Sequence, residues 1–456
     1  MLTKFKTIIG LLLVIPAIAT ANVSEYQLDN GLKLIVKEDH RAPVVVSQVW
    51  YKVGSSYEHN GITGISHVLE HMMFKGTENL GPNEFSQIIA ANGGRENAFT
   101  GRDYTAYFQT LEKDRLEVSF RLEAERMRKL VINEAELLKE REVVAEERRM
   151  RTEDNPHALV REAFNATAFV NSPYHHPVIG WMSDINNYEA TDLRQWYQKW
   201  YAPNNATVVI VGDVEPEAVY SLAKQYFGPL KPETTARVKP QIEVEQRGKR
   251  TVEVKAPAEL PYMMMGWKVP VVKTAEKEQD WEPYALEMLA GILDGGSSAR
   301  FSRDLVRGEE IAASVGAGYS LFSRLADMFL VVGTPAKGKS IADLQQAVMA
   351  QINQLQTELV SDQELKRIKA QVVANAVYER DSVFYQAMQI GMLETIGLEW
   401  QLTDQYVENV QAVTAEQVQA VANKYFKDKG LTVAELTPMP LDGKRPASAA
   451  GGRHGH

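Results

Sequence analysis

Apolar and polar residues alternate near the start of the chain, then shift to helical spacing, and this order is run through twice. Tyr26-Gln27-Leu28, a turn at Asp29-Asn30-Gly31 and the partly alternating Leu32-Lys33-Leu34-Ile35-Val36 predict strands. A further strand is expected over 44–53, and a helix beginning at Thr63 or Gly64. Long helical patterns rich in Glu, Arg and Leu occupy 113–130 and 134–151. Thr191 to Tyr201 is helical and ends at Pro203-Asn204-Asn205. Thr207-Val208-Val209-Ile210-Val211 then reads as a buried strand.

The second half replays this order: a strand over 262–269, helices over 282–293, 340–358, 362–379 and 414–426, and a strand over 431–436. Ala190, Asp192-Leu193 and Lys199-Trp200-Tyr201 pair with Ala415, Gln417-Val418 and Lys424-Tyr425-Phe426 at a constant offset (415 − 190 = 225). A long-period repeat of this kind predicts an α+β fold of two related domains, each a sheet covered by helices. The expected division is 22–227 and 250–437, with a Pro-containing charged linker at 228–249. The tail over 438–456, rich in Pro, Gly and Ala, is expected to be disordered, with His454 and His456 solvated.

A chain of 456 residues is too long for one compact core. The first 21 residues read as a secretory signal. Lys4 and Lys6 precede the apolar stretch from Ile8 to Ile18, and Ala19-Thr20-Ala21 is a small-residue cleavage site. The mature chain would begin at Asn22, in the periplasm or outside the cell. Its net charge would move from −9 to −9 − 2 = −11. Acidity without a basic run makes the chain a poor candidate for binding nucleic acid or anionic membrane surfaces. No later stretch is long and apolar enough to span a bilayer. There is no cysteine, which excludes disulfides, thiolate catalysis and cysteine-ligated zinc.

The chemistry-bearing segment is His67-Val68-Leu69-Glu70-His71. On a helix, His67 and His71 lie one turn apart on one face, where both imidazoles can reach one ion. Glu70 stands beside that ion without binding it, as a general base requires. Ile65, Val68, Leu69, Met72, Met73 and Phe74 make the surroundings apolar, so these polar groups are costly to bury without a partner such as Zn²⁺. A pair of core histidines is the plainer alternative, but in a chain with 9 His this motif seldom arises by chance. A catalytic zinc needs a third protein ligand. Leu137, Glu140, Val144 and Glu147 share one stripe of the 134–151 helix, and Glu146 lies a quarter-turn away. Spacing does not choose between Glu146 and Glu147.

The chain resembles the pitrilysin-type inverzincins, the M16 metallopeptidases, and in particular the bacterial two-domain members related to the mitochondrial processing peptidase. The resemblance rests on His67 through Thr77, on Asn97-Ala98-Phe99-Thr100, on Glu140 through Glu147, and on Gly295 through Phe301. It implies one Zn²⁺ per chain on His67, His71 and Glu147, with Glu70 as general base and Glu140 supporting from behind. It also implies that peptides add as a strand at Asn97 and Ala98, and that each chain forms half of a clamshell around short or unfolded polypeptides.

The second half has no such motif: its corresponding helix reads Tyr284-Ala285-Leu286-Glu287-Met288-Leu289-Ala290-Gly291. The family's inactive domain commonly supplies an Arg and, about seven residues on, a Tyr. Arg307 is present, but Ile311-Ala312-Ala313-Ser314 contains no Tyr, and Tyr319 lies too far along to be equated with it. A partner chain of the same family, in a heterodimer or as a second copy, is therefore expected to complete the site. The competing readings are a non-catalytic scaffold and a peptide-binding export factor.

Overall fold

A computed structural model of the chain describes residues 23–234, 238–239 and 241–441. The expected leader over 1–21 and the residues from 442 onward lie outside them. The first sheet holds β1 (Val23–Gln27), β2 (Lys33–Glu38), β3 (Val44–Tyr51), β4 (Arg95–Thr100), β5 (Thr105–Glu112) and β6 (Ala206–Gly212) in the order β1-β2-β6-β3-β5-β4. The second holds β7 (Arg250–Pro257), β8 (Tyr262–Val269), β9 (Ala312–Tyr319), β10 (Asp327–Pro335) and β11 (Leu431–Met439) in the order β7-β11-β8-β10-β9. Each sheet is antiparallel except for one pair, β2 with β6 and β7 with β11. The shared exception marks the two halves as versions of one α+β plan, as the repeat predicts.

Each half lends a helix to the other. Pro156–Ala168 comes from the first half, yet Val160, Phe164 and Ala168 pack on Met264, Met328, Ala434 and Leu436 of the second sheet. Val383–Ile396 comes from the second half, yet Ala387 and Ile390 pack on Val46, Trp50, Val209 and Val211 of the first. The first sheet's other face is covered by helices of its own half. This double cover explains why β6 is buried along its whole length. At the crossing the approach is close: a Cβ on Gly391 would lie 2.1 Å from Trp50 Nε1.

Several sequence boundaries move. The expected 134–151 helix is α-helical over Glu134–Arg148 and widens to a π-helical turn at Arg149–Glu153. β11 continues past Leu436 to Met439, so 438–439 belongs to the sheet and not to a disordered tail. Pairing with β8 stops at Leu436, which leaves Pro438 with only β7 as a neighbour, and a strand edge tolerates a residue without an N–H. The described residues of the 228–249 segment carry no helix or strand. They are nonetheless anchored: Glu243 Oε2 accepts the N–H groups of Val170, Asn171 and Ser172 at 2.8–3.0 Å.

The halves are clasped near the end of β4. Asp103 is buried and accepts the Ser56 hydroxyl (2.7 Å), the Tyr174 hydroxyl and the Arg324 guanidinium (3.1 Å). Arg102 meets Asp327 through both terminal nitrogens (3.2 and 2.6 Å) and lies over the Tyr174 ring. Edge strands β4 and β9 thus come to border one cleft.

Candidate metal centre

The motif lies on the helix Ile65–Met72, whose Ile65, Val68, Leu69 and Met72 are buried against the first sheet. Its start is built by tertiary contact. Gly64 adopts φ +86°, and a Cβ there would lie 2.4 Å from Ile179 O. A glycine offers no side-chain cap, so buried Glu58 supplies one: its carboxylate accepts the N–H of Gly64 (2.6 Å) and of Ser66 (2.9 Å). Burial pushes that carboxyl up to about 7 against the pull of these bonds. Sequence reading missed Glu58, because it stands outside the helical pattern and acts through a loop. Glu58→Ala is expected to lower unfolding stability by about 1–2 kcal/mol and to weaken zinc retention, read by denaturation and by metal titration. Unchanged values for both would show the helix start to be self-sufficient.

His67 and His71 face the helix Glu134–Arg148. Glu147 Oε2 lies 3.6 Å from His67 Nε2 and 3.7 Å from His71 Nε2. These gaps are too long for hydrogen bonds, and none is made by that oxygen. They match the spacing of donors around one ion: ligands at about 2.0–2.1 Å in a tetrahedral array stand roughly 3.3 Å apart. Ligand atoms of His67, His71 and Glu147 all fall within 4.8 Å of one another. Two imidazoles and one carboxylate with an open side form a catalytic zinc set, so these residues fit the metal. Glu146, the rival from spacing, is turned to solvent and pairs with Arg149 at 2.9 Å.

Glu140 stands behind His71, its Oε2 at 3.2 Å from Nδ1 and its Oε1 at 2.8 Å from Lys75 Nζ. With Nε2 turned to Glu147, the hydrogen-bond geometry assigns the His71 proton to Nδ1, which donates to Glu140. Burial alone would raise the Glu140 carboxyl, but His71 and Lys75 override it and hold it low. Lys75 and Arg151, which pairs with the other oxygen of Glu147, were not singled out from sequence. The heptad spacing of Glu140 and Glu147 was the available signal for both carboxylates.

Glu70 is almost fully buried beside the pair, and Thr100 donates its hydroxyl to Glu70 Oε2. Burial lifts the Glu70 carboxyl to about 7, with Thr100 and His71 pulling it back. Thr100 ends β4, an edge strand of the first sheet. Asn97 and Ala98 lie on this strand, and the Ala98 N–H donates to Asn97 Oδ1 (2.8 Å). Both line a cavity of about 910 Å³ together with His67, Glu70 and Glu147. Arg307 is not brought there: it follows the turn Phe301–Val306, is exposed, and donates to the Ser297 carbonyl. Tyr319, set aside in the sequence, does line the cavity from β9, but its hydroxyl donates to Pro270 O at 2.6 Å.

A two-sheet repeat with this helix on only one of its halves defines the class of M16-type peptidases, and comparison agrees. The chain belongs to the M16 peptidase family: the model described as insulinase (peptidase family M16) matches residues 33–180, and that for the peptidase M16 inactive domain matches 187–372. The second match fits the helix Glu282–Asp294, which carries no histidine. The zinc protease PqqE of Helicobacter pylori is 34% identical over 428 residues, covering 90% of this chain and 92% of that protein. A protease from the same organism, of known crystal structure, superposes with a TM-score of 0.86 at 32% identity, covering 92% of this chain and 100% of that one. A probable mitochondrial-processing peptidase subunit beta of Arabidopsis thaliana is 24% identical over 423 residues, covering 90% of this chain and 78% of that protein. Among the described residues no helix is long and apolar enough to cross a membrane.

Proposed function

We propose that this chain is a zinc endopeptidase that hydrolyses short or unfolded polypeptides in an exported compartment. The observation that carries the reading is the meeting of His67, His71 and Glu147 around one ion-sized space, with Glu70 beside it. A zinc ion held there would polarise the scissile carbonyl and acidify water. Glu70 takes the proton of the attacking water and delivers it to the leaving amine, standing beside the ion's open side without binding it. Thr100 fixes the carboxylate orientation. Glu140 holds the ring and tautomer of His71. The substrate backbone pairs with β4, taking over the Ala98 N–H now held by Asn97, which recognises extended chain and tolerates varied side chains. The leader over 1–21 is the ground for export to the periplasm or beyond.

A heterodimeric mode is the second reading, favoured by one observation: Arg307 lies outside the residues that line the cavity, and Tyr319, which does line it, gives its hydroxyl proton to Pro270 O, so neither presents a donor to a developing oxyanion. A second family chain would supply those donors. One experiment tests both readings. Chelation should abolish cleavage of an unfolded polypeptide and one equivalent of zinc should restore it, with and without any co-purifying chain. Cleavage that survives complete removal of metal overturns the peptidase reading. Full restored turnover by the single chain overturns the need for a partner.

A further inference from the structure

The cleft holds one cation that its own chemistry does not use. The helix Pro156–Ala168 buries Val160, Phe164 and Ala168 on the second sheet and turns His157, Arg161 and Asn165 into the cavity that contains the metal centre. These three follow one another at intervals of four, so they form a single polar stripe along the cleft wall. The other arginines on the lining are engaged: Arg102 with Asp327, and Arg151 with Glu147. The carboxylates there are engaged too: Glu162 is held by Arg148 at 2.8 and 2.9 Å, and Glu70 by Thr100. Arg161 alone among the cleft cations has no carboxylate partner among the described residues, and it is exposed to the cavity. His157 stacks on Tyr262 with ring centroids 4.1 Å apart, and burial lowers its proton affinity, so the positive charge of this stripe is that of Arg161.

In a chain of net charge −9, an unpaired guanidinium facing a substrate cleft selects for anions. Its planar fork matches a carboxylate. Asn165, one turn further on, adds an uncharged amide donor. We propose that Arg161 is a specificity-determining residue that binds a substrate carboxylate, giving the enzyme a preference for peptides bearing an acidic group at one position along the cleft. This rests on the peptidase reading above. Two sources present that chemistry: an Asp or Glu side chain, and the free carboxyl terminus of a short peptide.

The test uses the full mature chain and matched peptides. In one series a Glu, Gln or Lys is placed in turn at each position flanking the scissile bond. In another the peptide is neutral and ends in a free or an amidated carboxyl group. Ratios of kcat/KM are taken within each protein preparation, so a partly unfolded variant lowers both rates and leaves the ratio intact. The wild type is expected to prefer Glu over Gln by about tenfold at one position. Arg161→Gln should bring that ratio near one, and Arg161→Glu should favour Lys instead. An Arg161-dependent ratio seen only between free and amidated termini assigns the carboxyl terminus as the bound group. Ratios identical in wild type and both variants overturn the subsite and leave the peptidase reading intact. Failure of the wild type to cut any peptide overturns that reading, and the subsite with it.

Discussion

Glu147→Gln is expected to lose zinc and, with it, all measurable peptide hydrolysis. The substitution keeps the shape of the side chain but removes the negative charge that faces both imidazoles from 3.6 and 3.7 Å. An amide oxygen is a poorer donor to a divalent ion, and the cation would then rest on neutral groups alone. Changes behind a metal ligand typically cost 10–100-fold in affinity, so loss of a direct carboxylate should exceed about 100-fold. Competition titration with a zinc indicator reads this directly. The fold should survive, because Glu147 packs at the cleft and the buried stripe of its helix is carried by Leu137 and Val144. Wild-type zinc affinity in this variant would remove Glu147 from the site and bring Glu146 back into contention.

Glu70→Gln should do the opposite to the metal and nearly the same to turnover. The amide oxygen that replaces the carboxylate can still accept the Thr100 hydroxyl, and His67 and His71 are untouched, so zinc content should stay at the wild-type level. What disappears is the acceptor for the proton of the attacking water. General-base contributions of this kind are worth about 10²–10⁴ in rate, and the loss should fall on kcat with little change in KM. Steady-state kinetics on one unfolded substrate, with metal analysis of the same sample, separates the two variants. If the biological role survives in Glu70→Gln, the chain acts by binding and not by cutting, and the scaffold and export-factor readings gain.

Much of this centre was legible because its parts obey local periodicity. His67 and His71 are one turn apart, and Glu140 and Glu147 are two turns apart on a stripe shared with Leu137 and Val144. Periodicity did not separate Glu147 from Glu146. The resemblance favours Glu147; the structure sets Glu147 facing both imidazoles and Glu146 on a surface pair with Arg149. The repeated strand–helix order was legible for the same reason.

What stayed hidden depends on contacts across the fold. Val383–Ile396 is apolar around most of its girth because it lies between the first sheet and its own half, so it shows no clear stripe. Pro156–Ala168 covers the other half's sheet, which no pattern within one half reveals. Thr100 reaches Glu70 across 30 residues, and Glu58 caps a helix from a preceding turn. β9 is made of Ala, Gly and Ser with few branched residues, so its strand signal is weak although it borders the cleft.

Anomalous diffraction at the zinc edge, from crystals of the purified mature chain, addresses the centre with no kinetic assumption. A single peak per chain is expected, bounded by His67 Nε2, His71 Nε2 and Glu147 Oε2. Active protein whose crystals show no peak there, or a peak held by other side chains, would contradict it.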